Sequence, residues 1–464
     1  YQTRRGDIKR VNGKGESMTF ETKGKENNGA TYGRRSDWQD LYSIAKKYYE
    51  ALLADPGNAL FHLTDPRGAS DKSGRTFNNP YQYFFEQMHM DDAIYADESI
   101  YEYPMQQGGG NDGRPYSFGR PSSGGSKAAY PCKSYGQVRI NPAYFYGVFD
   151  PNDMRRDVSI TMTGSNGKGV EKLIPFVPNS KAEGGGLTLN KWDENRQANP
   201  WVAAQRKSGI NGPYMRMSEV YLGYAEVCAA LGDVVTGKQY LKTVRERSFP
   251  QGLANTDAFI ASFGNDLVRA IIEERGFEYA GEGDRRWTLI RSGYLPEDIK
   301  RIKDMTKAMM DGLATKGYYE FENGNIISAY IWTKLVDANT IYGHRLTAQC
   351  PTDKVNDPVL YPGWRGQKDN WEEMGLNYGS STPATNLAIK GLFEIVSEEE
   401  AASLESQGYT KVNWGIDLVD NRDEYDKYLF WDYDYVSAPI YLWPFTPNVM
   451  AAGGFTNGYG FKQE

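Results

Sequence analysis

Apolar residues recur at helical spacing in only a few stretches of this chain. Leu41, Ile44, Tyr48 and Leu52 repeat every three or four positions behind Ser36 and Asp37, which can cap a helix, and Asp55-Pro56-Gly57 ends the pattern. The strongest stripe is Met217, Val220, Tyr221, Tyr224, Cys228 and Leu231, with Glu219 and Glu226 off its centre and Gly232-Asp233 closing it. Thr236 to Arg247 follows with Tyr240, Leu241 and Val244 on one face, so the two segments predict an antiparallel helical hairpin across a short turn. Leu267, Ile271 and Phe277 predict a third helix from about Asn265 to Tyr279. Ile299, Ile302, Met305 and Met309 predict a fourth near Pro296 to Gly312. Another helix is expected from Thr382 to Ser397. Ser397 then starts a separate one, with Glu400 placed to complete a capping box.

Elsewhere the helical period is lost. The second half of Phe84 to Tyr103 alternates, which predicts a short strand. Residues 1–36, 106–135, 136–212 and 313–385 are punctuated by Gly, Pro, Ser and Asn too often for regular structure, with turns expected at Asp150-Pro151, Gly164–Gly169 and Gly184–Gly186. From Tyr428 an extended tail is expected, ending in one short turn. The GSNGKG segment lacks the spacing of a phosphate-binding loop, and no internal repeat establishes a solenoid, although the hairpin permits one.

Composition narrows the chemistry. The 464 residues are long enough for a large core, and a net charge of −7 argues against a broad nucleic-acid surface. No run of about 18 apolar residues exists to span a bilayer. Cys132, Cys228 and Cys350 cannot all pair, and His62, His89 and His344 form no metal-binding spacing. His89 reads as a helix or interface residue, and Cys228 as core packing. There is no GxSxG elbow, and Asp432 and Asp434 read as ordinary surface or turn residues, so no catalytic set is singled out. The 14% aromatic content and the 50 glycines draw attention instead to aromatic residues in loops. Tyr116, Phe118, Tyr130 and Tyr135 lie in one Gly/Pro-rich loop beside Arg114 and Arg120, and Trp364 and Trp371 in another beside Arg365, Asp369 and Asn370. Flat rings can cover the C–H face of a sugar while the polar neighbours bond its hydroxyls, and the same set could clamp a peptide backbone. The competing expectation is that these rings pack the loops onto the helices.

YMRMSEVYLGYAEVCAALGD from Tyr214, LKTVRERS from Leu241, IIEERGFEYAGEGDRRWTLIRSG from Ile271 and IYLWPFTPNVMAAGG from Ile440 resemble, in order and spacing, four motifs of the SusD/RagB-like family of Bacteroidetes outer-membrane nutrient-binding lipoproteins. SIYEYP at Ser99–Pro104 is similar to a family strand. Ser218 stands where Ala is usual, Thr288 where Asp is usual and Phe445 where Ile is usual. The resemblance implies a mostly α SusD-like fold with tetratricopeptide-like hairpins, a large loop-rich region and minor β structure.

On this reading residues 1–464 form a single unit lacking its early N-terminal part. Helical scaffold is expected at 37–54 and 214–312, loop-rich, candidate ligand-facing regions at 105–212 and 313–385, and a family-like C-terminal segment at 428–464. The chain starts at Tyr1 without Met or a lipidation cysteine, so a lipid anchor at the extracellular face of the outer membrane is expected to lie before it. The implied role is to capture oligosaccharides and, as a lid without catalysis, hand them to a SusC-like TonB-dependent barrel. The alternatives are a peptide ligand or a surface polysaccharide hydrolase. No cofactor is required, and Ca²⁺ or Mg²⁺ could be held among loop Asp residues that no spacing locates. Arg216, Glu219, Glu226, Arg245, Glu274, Glu282, Arg285 and Arg286 are expected to form ion pairs and caps that hold the scaffold. The resemblance carries no ligand-contact residue over to this chain.

Overall fold

Helix formation follows the apolar spacing most closely between residues 217 and 316. The computed structural model describes residues 10–11, 17–18, 24–25, 31–32, 37–66, 79–89, 96–109, 117–123, 133–165, 171–178, 184–193, 207–337, 385–425 and 445–454. In chain order the helices are α1 (Trp38–Ala54), α2 (Pro80–Gln87), α3 (Pro142–Gly147), α4 (Arg155–Ser159), α5 (Met217–Ala230), α6 (Val234–Glu246), α7 (Thr256–Ala261), α8 (Leu267–Glu278), α9 (Asp284–Ser292), α10 (Leu295–Lys316), α11 (Glu398–Ser406), α12 (Gly415–Asp420), α13 (Arg422–Tyr425) and α14 (Pro447–Gly453). The longer strands are β1 (Ser99–Tyr103), β2 (Gly212–Arg216), β3 (Tyr330–Asp337), β4 (Thr385–Lys390) and β5 (Thr410–Asn413); the others span two or three residues. The fold is mostly α with minor β, as expected. No helix among the described residues is long and apolar enough to cross a membrane.

The expected hairpin is α5 and α6. The Asp233 carboxylate caps α6 by accepting from Thr236 N, and Leu222, Ala225, Leu241 and Val244 pack with Ala270 and Ile271 of α8. Gly237 allows the close approach: a Cβ there would lie 2.9 Å from the Ala225 carbonyl oxygen. Helix α1 covers the other side of α5 with a stripe that keeps Leu52 of the expected one, packed with Met217 and Val220, but not its centre. Ile44 and Tyr48 are exposed, and Tyr42, Ala45, Tyr49 and Leu53 pack on Tyr224, Val227 and Cys228. Both sets have helical spacing. The choice falls to Gly223, whose missing side chain leaves room for the Tyr49 ring. Cys228 is buried core, as expected.

Three expectations are corrected. In the segment expected to be a helix from Thr382 to Ser397, the described residues 385–397 are not helical. Residues 385–390 form β4, paired antiparallel with β3 from Trp332↔Lys390 to Asp337↔Thr385, and Gly391 at φ +78° turns the chain out of the strand. Its short apolar run, Leu387-Ala388-Ile389, is buried along its length, and such a run carries no period to separate strand from helix. Residues 136–212 and 313–385 are not irregular throughout, since α3, α4 and β3 lie within them. Phe145 and Tyr146 of α3 join Met309, Met310 and Leu313 of α10 and Trp414 in the largest apolar core. Helix α9 was hidden by its arginines, but Gly283 and Gly293 bound it at φ +94° and +85°. The helix from Ser397 forms as expected, with the capping box made by Ser397 and Glu400.

Candidate functional site

Of the expected ligand residues, Phe118 and Tyr135 are described. Tyr116, Tyr130, Arg114, Trp364 and Trp371 lie outside the described residues, as do Arg365, Asp369 and Asn370. The Gln137 N–H donates to Ser117 O at 2.7 Å and Ser122 pairs with Ser134, so the segments carrying Phe118 and Tyr135 run side by side at the base of their loop. Phe118 is exposed and Tyr135 is half-buried. Arg120 does not face a ligand. It is buried in an ion pair with Glu171 and donates to Thr163 Oγ1 at 3.1 Å, so it ties the loop base to the body.

A second aromatic group is brought together by folding alone. Strands β1 and β2 pair antiparallel with register shifts around Met215. Alternation along β1 turns Ile100 and Glu102 inward and Tyr101 and Tyr103 outward. Glu102 is buried and accepts from Ala96 N at 2.9 Å, Ser99 Oγ at 2.5 Å and Asn211 Nδ2 at 2.9 Å, which locks the inner side. On the outer side Tyr101, Tyr103 and Tyr214 are 54%, 43% and 67% exposed. Their ring centroids are 5.3–6.2 Å apart, with Tyr214 near-perpendicular to both others. Tyr101 and Tyr103 show as a strand pattern in sequence, but nothing there puts Tyr214 beside them.

Two cavities open elsewhere. One of about 610 Å³ lies between α1, α5, α8 and α9, lined by Tyr42, Tyr49 and the exposed Trp287. Its charged lining is paired internally, Arg275 to Glu219 at 2.6 Å and Arg291 to Glu226. The other, of about 650 Å³, is lined by Leu63, Lys238, Lys242, Phe249 and Asn255 near the end of α6.

The buried charges form connected networks. Arg216 donates to Glu278 at 2.6 Å and to Glu98 at 3.1 Å, Arg247 to the same two carboxylates, and Arg155 to Glu274 at 2.6 Å and Glu278 at 3.1 Å. Arg245 joins at Glu274, and Lys191 at Glu282. Burial works to raise the Glu278 carboxyl, but Arg247, Arg216 and Arg155 overcome it and hold it far below the usual carboxylate range. At Glu273 burial pushes the same way, and Arg285, Arg301 and Arg269 bring the carboxyl down to about 2. Burial lowers Lys191 to about 8 despite its pairing with Glu282. The described histidines are engaged as well. His62 Nε2 meets Asp97 at 2.8 Å, and His89 bonds Phe85 O through Nδ1 while Nε2 accepts from Asp193 N. Among the described residues no group of three or more His, Cys, Asp or Glu could hold a metal ion.

The sequence profile of the SusD family matches residues 60–444. The chain belongs to the SusD family. It is similar to the SusD homolog of Bacteroides thetaiotaomicron VPI-5482, with 18% identity and a TM-score of 0.41 over 57% of this chain and 52% of that one. It is similar to surface glycan-binding protein A from Bacteroides uniformis, with 21% identity and a TM-score of 0.34 over 55% and 45%. It is also similar to the protein of that description from Bacteroides thetaiotaomicron in complex with laminarihexaose, with 18% identity and a TM-score of 0.35 over 56% and 52%. The chain spans about half the length of the structures it matches. No curated protein sequence matches it.

In this SusD family chain the motif residues serve the scaffold. Arg216, Glu219, Glu226, Arg245, Glu274, Glu282 and Arg285 all lie in ion pairs, as expected. Two of the departures acquire hydrogen bonds. Ser218 Oγ accepts from Arg216 at 2.6 Å and meets the Tyr279 hydroxyl at 2.9 Å. Thr288 Oγ1 donates to Asp284 at 2.9 Å and accepts from Arg275 at 3.2 Å. Phe445 is exposed.

Proposed function

We propose that this chain is a nutrient-binding subunit that captures oligosaccharides at the outer surface of the outer membrane and passes them to a SusC-like TonB-dependent barrel. It acts as a lid and makes or breaks no bond. The observation that carries the reading is membership of the SusD family across residues 60–444. The site chemistry is compatible with it. The deeply buried carboxylates Glu98, Glu274 and Glu278 are each paired with arginines, an arrangement that stabilises a scaffold rather than presenting an acid and a base to a substrate. Attachment is through an N-terminal lipid, and residues 1–464 act as one unit.

Titration calorimetry against a panel of oligosaccharides and mixed peptides tests the reading. Saturable glycan binding without release of new reducing ends supports it. Saturable peptide binding with no response to any glycan moves the ligand class to peptides, and reducing-end release overturns the non-catalytic role. Co-purification of the chain with a barrel from outer membranes tests the partner.

A further inference from the structure

We infer that the outward face of β1 and β2, formed by Tyr101, Tyr103 and Tyr214, is a stacking subsite for a short neutral oligosaccharide segment. The inference rests on the oligosaccharide reading above and assigns it a place.

Three observations converge on this face. Three adjoining tyrosine rings, 43–67% exposed, meet edge to face here, and a contiguous exposed patch of this kind is often functional. Tyrosine suits a sugar better than an apolar side chain would. Its negative ring face receives the C–H groups of a pyranose, and its hydroxyl both donates to and accepts from sugar hydroxyls. The face is also held in shape before any ligand arrives. Glu102 fixes β1 from the inside, and Met105 N bonds Asn211 Oδ1 at 2.8 Å to close the end of the strand pair. Little ordering cost then falls on binding.

Area decides between a sugar and a protein as occupant. Three half-exposed tyrosines offer roughly 300–400 Å² on the usual aromatic side-chain area. A specific protein interface needs about 800 Å² per partner. The three rings by themselves are less than half of such an interface, and ample for one or two sugar rings.

The test is calorimetry of the full chain with laminarihexaose, maltohexaose, xylohexaose and mannohexaose, run on the parent, the triple variant Y101A/Y103A/Y214A and the triple variant Y101F/Y103F/Y214F. Thermal unfolding of each checks that the outward substitutions leave the fold intact. We expect the parent to bind at least one hexaose, the alanine variant to bind it at least tenfold more weakly at unchanged melting temperature, and the phenylalanine variant to lie between them. Binding by the alanine variant within twofold of the parent overturns the subsite and leaves the oligosaccharide reading standing. A parent that binds no hexaose overturns both. If the alanine variant melts lower, the single variants Y101A and Y214A take its place under the same criteria. A parent that sediments as a dimer, and an alanine variant that does not, overturns the subsite in favour of a protein contact.

Discussion

Glu278 accepts hydrogen bonds from three arginines that reach it from separate parts of the chain, Arg155, Arg216 and Arg247. Removing its charge leaves those guanidiniums buried with one carboxylate fewer, and breaking a buried pair of this kind costs about 3–5 kcal/mol. Glu278→Gln is therefore expected to lose about that much stability in denaturant unfolding, although it keeps the side chain's shape and one acceptor. A loss under about 1 kcal/mol would mean that the remaining carboxylates re-pair with the arginines and that Glu278 is not the centre of the network. Part of this network was legible in sequence, since Arg216, Arg245, Glu274 and Glu282 were expected in ion pairs, whereas Glu278, Glu98, Arg155 and Arg247 were not. Glu226 could be read as an acid that must be paired, because it sits beside an apolar helical stripe, and Arg291 is its partner. Glu98 could not, since it meets Arg216 from 118 residues away and no spacing rule reaches that far. The same limit hid the Tyr101–Tyr214 contact, while the two loop tryptophans singled out in sequence, Trp364 and Trp371, lie outside the described residues.

Elements were legible where a period and a stop signal agreed. The α5–α6 hairpin shows both, with its stripes at helical spacing and Gly232-Asp233 between them. Its tightness rests on Gly237. Gly237→Val improves helix propensity by a few tenths of a kcal/mol, but its Cβ would press on the Ala225 carbonyl and the Ala229 side chain. Overpacking of this kind costs about 1–3 kcal/mol, so the variant is expected to unfold at lower denaturant with an unchanged slope. Helix α11 makes the opposite case. It was readable from its capping box alone, and none of its residues is buried. Ser397→Ala should cost the helix about 1 kcal/mol and speed amide exchange within residues 398–406, with no change in global melting. A fall in global melting would show that α11 is coupled to the core. Strand β4 does not show in sequence because an apolar run of three residues has no period, and the pairing with β3 that decides it comes from 48 residues away in sequence or more.

Buried charges tie α4, β2, α6 and α8 together with Glu98, just before β1, and Glu282, just before α9. A net charge of −7 carries no hint of that arrangement, because the network pairs cations with carboxylates. It does predict how stability depends on pH. The Glu273 and Glu278 carboxyls are depressed in the folded chain, to about 2 at Glu273 and far below the usual range at Glu278, whereas in the unfolded chain they titrate near the ordinary value of about 4.3. The folded state therefore binds fewer protons than the unfolded state in the acid range, and stability rises with pH there. Their contribution is fully present above about pH 5, and it is lost as pH falls from about 4.5 towards 2. Melting temperature is expected to stay level between pH 7 and 5 at fixed ionic strength and then to drop steeply. High salt should leave the drop in place, since buried pairs are poorly screened. In Glu278→Gln one of the depressed carboxyls is gone, so the same acid titration should be shallower as well as lower. Equal melting temperatures at pH 3.5 and 7 in the parent chain would contradict the linkage. A parallel curve in the variant would place the acid sensitivity in carboxylates outside this network.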